Sequence, residues 1–187
     1  MTATGPPVDK AGWRAWAADR RRGLAIDHAA VVAGLRRFLA AAAVPADAWI
    51  LTYRALPGEV DVDALLPDHR CAVTRTHPGG LLTVHPADAP TERHRLGYLQ
   101  PVAGSPEVPL AGVALALVPG VAFDPWGTRL GHGAGHYDRL LPHLTAGVPR
   151  VGVTPGALVA AQRLPAEDHD VPMSHLATEA GVSGVRS

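Results

Sequence analysis

The sequence predicts one α/β domain built on a mostly parallel sheet, with helices on both faces. Three observations predict it. Short apolar runs alternate with amphipathic segments along most of the chain. The strongest run, Val113–Val118 (VALALV), is apolar throughout, as a strand buried on both faces must be, and Pro119-Gly120 closes it. The run at Arg150–Thr154 reads as a further central strand, set beyond a helical segment as a parallel neighbour would be.

The elements follow in order. Asp9 is the expected N-cap of a first helix carrying Trp13, Trp16 and Ala17 on one face. Lys10 and Arg14 stand one turn apart on that helix, so their cations can converge on one point. Asp27 caps a second helix, whose Val31, Leu35, Phe38, Leu39 and Ala42 form a core-facing stripe. Ala48–Tyr53 reads as a buried strand, Asp61–Leu66 as a short helix and Cys71–Thr76 as a strand. Tyr137–Leu144 reads as helix and Arg150–Thr154 as a last central strand, while Gly79–Ser105, rich in Pro, Gly and His, gives no clear pattern.

Composition narrows the function. The 187 residues make one domain the natural expectation, spanning 1–187. Such a chain buries roughly 70% of its unfolded surface and needs no metal or disulfide to fold. Lys plus Arg total 17 and Asp plus Glu total 17, a balance that argues against nonspecific nucleic-acid or membrane partners. The opening MTATGPPVDK has no apolar leader segment, no run is long enough to span a bilayer, and Cys71 is the single cysteine. The expectation is a soluble cytoplasmic protein.

The informative stretch is Val118–Arg139, VPGVAFDPWGTRLGHGAGHYDR, after the strongest strand and before a helix. Ligands of open α/β sheets bind at the carboxyl ends of strands, where this loop sits. Gly131, Gly133 and Gly135 let the backbone turn its N–H groups toward an anion, and Arg129 adds a forked cation suited to phosphate. Asp138, just beyond, is placed to hold Mg²⁺ against such phosphates. The Walker ending is absent, and His136 stands where the dinucleotide fingerprint needs glycine. Residue chemistry alone leaves two readings, an anion loop or a Gly-rich turn without a ligand. A zinc site at His132 and His136 is disfavoured, because their spacing of four serves a metal only on a helix.

The stretch resembles the 5-formyltetrahydrofolate cyclo-ligases, whose hallmark is PG-x-x-FD-x-x-G-x-RLG-x-G-x-G-x-YD. Pro119-Gly120, Phe123-Asp124, Gly127, Arg129-Leu130-Gly131, Gly133, Gly135 and Tyr137-Asp138 all match it. Lys10 with Arg14, Tyr53 with Gly58-Glu59-Val60-Asp61, and Gln162, Leu164-Pro165, His169-Asp170 and Thr178-Glu179 resemble further family segments. The resemblance implies a Rossmann-like three-layer fold and ATP- and Mg²⁺-dependent closure of 5-formyltetrahydrofolate to the 5,10-methenyl form through a phosphorylated formyl group. It implies ATP binding by Lys10, Arg14, Arg129, Leu130, Gly131, Gly133, Gly135 and Tyr137, and Mg²⁺ at Asp138 and Asp170. Arg54, Glu59, His132 and His136 would meet the folate, and Arg129, Glu59 and Tyr137 would carry the catalysis.

Departures from the pattern fall on the folate half. His136 stands where the family has tyrosine, Ala114 where it has Asp, and Val62 where it commonly has Thr. Two alternatives stand beside the cyclo-ligase: a paralogue that activates another formamide or amide with ATP, and a non-catalytic folate- or nucleotide-binding regulator. Retention of Lys10, Arg14, Arg129 and Asp138 together argues against a mere binder.

Overall fold

A computed structural model describes residues 6–186; the opening MTATG and Ser187, the ends of the expected 1–187 domain, lie outside the described residues. The chain runs α1 (Lys10–Arg21), α2 (His28–Ala41), β1 (Trp49–Leu51), β2 (Cys71–Thr76), β3 (Leu82–Pro86), β4 (Thr91–Arg93), β5 (Leu99–Pro101) and β6 (Val113–Pro119). It continues with β7 (Ala122–Phe123), β8 (Arg129–Leu130), α3 (His136–Leu140), β9 (Arg150–Val153), β10 (His175–Thr178) and β11 (Gly181–Gly184). Seven strands form the main sheet in the order β11-β10-β9-β6-β1-β2-β3. The five central strands run parallel, and antiparallel β3 and β11 close the two edges.

The sheet is α/β and mostly parallel, as expected, because its central strands are apolar on both sides. In β6, Leu115 and Leu117 join one core cluster while Ala116 and Val118 join the other. Helix α2 covers the first face, with Val31, Leu35 and Leu39 packed against Ile50, Leu115, Leu117 and Val151. The Asp27 carboxylate accepts from Ala30 N at 2.9 Å and starts this helix where expected. Phe38 is only partly buried and Ala42 is exposed, so the stripe is narrower than the sequence suggests.

The second face is covered more thinly. The expected helix over Tyr137–Leu144 ends at Leu140 and passes into a single 3₁₀ turn, Leu141–His143. Pro142 has no N–H to continue an α-helix, which accounts for the break. Leu140, Leu141, Leu144 and Met173 then pack on Leu51, Ala116, Val118 and Leu176. Asp61–Leu66 is likewise displaced, to a 3₁₀ segment Asp63–Asp68 that contains Pro67.

Helix α1 does not cover the sheet. Asp9 caps it through Gly12 N at 2.7 Å, and Trp13 and Ala17 pack into a separate small core with Val121, Ala122, Leu130, Leu158 and Leu164. These partners follow the carboxyl ends of β6 and β9, so α1 lies beside the loops that form the site. Gly79–Ser105 supplies edge strand β3 and the β4–β5 hairpin. Among the described residues no helix is long and apolar enough to cross a membrane.

Asp124 fixes the connection between β7 and β8. It is fully buried; Oδ1 accepts from Trp126 N and Thr128 N, both at 2.9 Å, and Oδ2 accepts from Leu164 N at 2.8 Å. Asp124→Ala should therefore strand three buried N–H groups and cost on the order of 3 kcal/mol or more. Asp124→Asn should fall between, since its amide meets Leu164 N donor to donor. Urea unfolding checks both, and an alanine variant as stable as the parent would contradict this role.

Candidate functional site

A cleft of about 680 Å³ opens at the carboxyl ends of the central strands. Its walls come from α1 (Lys10, Arg14), the loop after β1 (Tyr53 to Glu59), the end of β2 (Thr74, Thr76), the β4–β5 hairpin (Leu96, Tyr98, Leu99) and the 129–138 loop. All the residues expected to bind nucleotide, substrate or metal line it. His169, from the family-like C-terminal segment, lines it too, as do the hairpin residues and Glu167, which carry no signal in the sequence pattern.

The loop takes its shape from glycine. Gly133 and Gly135 have φ of +98° and +64°, in the left-handed region that other residues rarely enter. Gly131 lets the Arg129 guanidinium lie against the backbone, where a Cβ would come within 2.9 Å of a terminal guanidinium nitrogen. Helix α3 that follows is only five residues long, so turned backbone N–H groups and nearby cations, rather than a helix dipole, define the anion preference.

The cations are already paired. Arg129 donates from Nη2 to Asp138 Oδ1 at 2.6 Å, with the two side chains only 6% and 15% exposed. Arg129 Nε is buried without a partner, and the guanidinium lies 5.5 Å from the Tyr137 ring centroid. Lys10 Nζ sits 2.9 Å from Asp170 Oδ2 and 3.0 Å from Glu167 Oε1. Arg14 Nε donates to Gly131 O at 3.0 Å, tying α1 to the loop. Lys10 and Arg14 thus reach one cleft from one helix face.

The other wall is more varied. Glu59 is buried, accepts from Leu56 N through Oε2 at 2.9 Å, and offers Oε1 to His132 Nε2 at 3.3 Å. Arg54 lines the cleft, but its fork is engaged by Asp63 Oδ2 at 2.7 Å and Ala87 O at 2.9 Å. Leu130 is buried in the small α1 core, leaving only its backbone to the site. His136 packs on Gly80 so closely that a Cβ there would fall 3.0 Å from its Cδ2.

Burial and charge set the protonation states. Burial, then Arg139 and His94, hold the His136 imidazole below its ordinary value, so it is neutral near pH 7. Burial and the nearby Glu59 push the Tyr137 phenol up, and Tyr53 still more. Burial also raises the Cys71 thiol to about 11, which makes it an inert strand residue. Among the described residues no three His, Cys, Asp or Glu side chains cluster as a metal cage. Asp138 and Asp170 are instead separate carboxylates on one cleft.

Residues 54–179 match the profile of the 5-formyltetrahydrofolate cyclo-ligase family. A 5-formyltetrahydrofolate cyclo-ligase of Mycolicibacterium smegmatis is 45% identical over 62 residues, a match spanning 33% of this chain and 31% of that relative. The solution structure of Aquifex aeolicus 5,10-methenyltetrahydrofolate synthetase superposes with a TM-score of 0.78 at 26% identity, over 95% of this chain and 93% of that one. A Mycoplasma pneumoniae 5,10-methenyltetrahydrofolate synthetase shares the fold, with a TM-score of 0.72 at 19% identity over 91% and 98% of the chains.

The Lys10–Asp170 pair gives a test in pH. Burial alone would raise the Asp170 carboxyl, but the Lys10 hydrogen bond and charge overcome it and hold the group below its usual value. For Lys10 burial is likewise outweighed, by Asp170 and Glu167, and its ammonium is raised. A lowered carboxyl contributes stability above its unfolded value, and that contribution disappears as pH falls through the lowered folded value. Asp170→Asn should thus reduce stability at pH 7 by roughly 1 kcal/mol and flatten the decline below pH 4. Urea midpoints from pH 2 to 8 measure this. An unchanged acid limb would mean that the pair contributes nothing.

Proposed function

This chain belongs to the 5-formyltetrahydrofolate cyclo-ligase family, and from that premise we propose that it closes 5-formyltetrahydrofolate to 5,10-methenyltetrahydrofolate while ATP becomes ADP and phosphate. The observation that carries the reading is the arrangement of Arg129–Asp138 and Lys10–Asp170, two cation–carboxylate pairs on the cleft beside a glycine loop. Each pair offers a cation to phosphate and a carboxylate to a divalent ion. A cytoplasmic setting agrees with a lone, buried thiol.

A formamide carbonyl is a poor electrophile and its oxygen a poor leaving group. In the proposed reaction the formyl oxygen attacks the γ-phosphorus and the bond to ADP breaks. N10 then bonds to the formyl carbon, phosphate departs with the oxygen, and N10 gives up its proton. Lys10, Arg14 and Arg129 hold the phosphates with backbone N–H groups of Gly131 to Tyr137, a task of positioning and charge stabilisation. The unpartnered Nε of Arg129 is one donor available for it.

Two separate carboxylates fit Mg²⁺, which takes one or two from protein and completes its shell with water and phosphate oxygens. Asp138 and Asp170 would hold it, and when bound it neutralises charge on the phosphates. Glu59 lies buried on the opposite wall and favours the cationic character that grows on the formyl carbon. Tyr137, kept neutral by burial and Glu59, donates a hydrogen bond to the phosphate or formyl oxygen. His132 and His136 border the substrate, whereas Arg54, with its fork engaged, shapes the wall through its anchoring contacts.

Protein, Mg·ATP and 5-formyltetrahydrofolate should yield the near-ultraviolet absorbance of the methenyl product with one ADP per turnover. ADP from a different formamide and none from this folate would favour the paralogue reading. Absence of nucleotide binding in calorimetry would overturn both. Arg129→Gln should weaken ATP binding about 30-fold, roughly 2 kcal/mol for a charge-assisted contact. It should also lower the melting temperature, because buried Asp138 loses its partner. A lower melting temperature with unchanged ATP affinity would make Arg129 structural only.

A further inference from the structure

We propose that His132 is the base that takes the N10 proton during ring closure, with Glu59 as its positioning residue; this rests on the cyclo-ligase reading above. The Glu59 carboxylate is 7% exposed and rigid, with Oε2 accepting from Leu56 N at 2.9 Å. Its remaining oxygen stands 3.3 Å from His132 Nε2. A carboxylate facing Nε2 favours the tautomer with a proton on that nitrogen, which leaves Nδ1 with a free lone pair. A histidine oriented by a buried carboxylate is one arrangement that serves general-base catalysis.

The placement suits a proton that must leave late. His132 stands between Gly131 and Gly133, in the loop proposed to hold the phosphates, and on the same cleft as Glu59. Its side chain is 53% exposed, so a proton received at Nδ1 can pass on to solvent. N10 of the substrate is an aryl amine, a weak nucleophile whose attack benefits from concerted proton removal. As the N10–carbon bond forms, the N10–H pair of electrons stays on nitrogen and the proton moves to Nδ1. The carbon–oxygen bond then breaks and phosphate leaves with its electrons, giving the methenyl cation. No oxidant or further reactant is needed.

The charged and titratable neighbours are few. Glu59 faces His132 from the loop after β1, and Arg14 reaches Gly133 from α1, where a Cβ would lie 3.4 Å from Nη2. Arg21 of α1, Tyr53 and Tyr137 interact electrostatically with Glu59.

Single-turnover measurements with enzyme in excess separate the two steps, reading ADP and the methenyl absorbance together. In His132→Phe, ring closure should slow about 100-fold, the lower range for a general base, and by far more than ADP formation slows. Added imidazole should restore part of the closure in His132→Ala. Ring closure at the parent rate in His132→Phe would overturn the proposal, as would ADP formation that falls in step with closure. A parent protein that forms no ADP from this folate would instead overturn the cyclo-ligase reading itself.

Discussion

The buried carboxylate of Asp124 holds together segments otherwise joined only by a short hairpin and a single β-bridge. It accepts two backbone N–H groups from its own turn and a third from Leu164, forty residues away. That junction fixes the β7–β8 hairpin, and Arg129 belongs to its second strand. The same hairpin supplies Val121, Ala122 and Leu130 to the small core against which α1 packs through Trp13 and Ala17. Lys10 and Arg14 are therefore placed by the element that places Arg129. The α2 core is built without this junction, whereas the placement of the cations depends on it.

Gathering cations in a partly buried cleft carries an electrostatic penalty, and the chain meets it by pairing. Arg129 rests on Asp138, Lys10 on Asp170 and Glu167, and Arg14 on the Gly131 carbonyl. Each partner is a group that a nucleotide and its metal can replace or use. In the proposed function, phosphate oxygens replace the carboxylates at the cations, and Mg²⁺ takes up the carboxylates so released. Arg129 and Lys10 would thus each have an anionic partner both before and after binding.

Much of this was legible in the sequence where the signal is local. The caps Asp9 and Asp27, the α2 stripe and the apolar run of β6 are statements about neighbouring residues, and the structure bears them out. The glycine loop was legible because all its turns and its Arg lie within twenty residues. What was not legible depends on distant partners. Gly79–Ser105 hides an edge strand and a hairpin whose strands, three residues each, are too short to show a periodicity. β10 and β11, only four residues each, were missed for the same reason. The position of α1 off the sheet follows from residues 121 to 164, and the pairing of Lys10 with Asp170 spans 160 positions. Arg54, expected at the folate, does line the cleft, and its contacts with Asp63 and Ala87 are ones that only folding creates.

The central claim is that phosphates displace carboxylates from Arg129 and Lys10. A crystal structure of the complex with Mg²⁺ and a non-hydrolysable ATP analogue tests it most directly. The account predicts both guanidinium and ammonium on phosphate oxygens, with Asp138 and Asp170 turned toward the metal. Nucleotide bound elsewhere, with the Arg129–Asp138 and Lys10–Asp170 pairs intact, would contradict it.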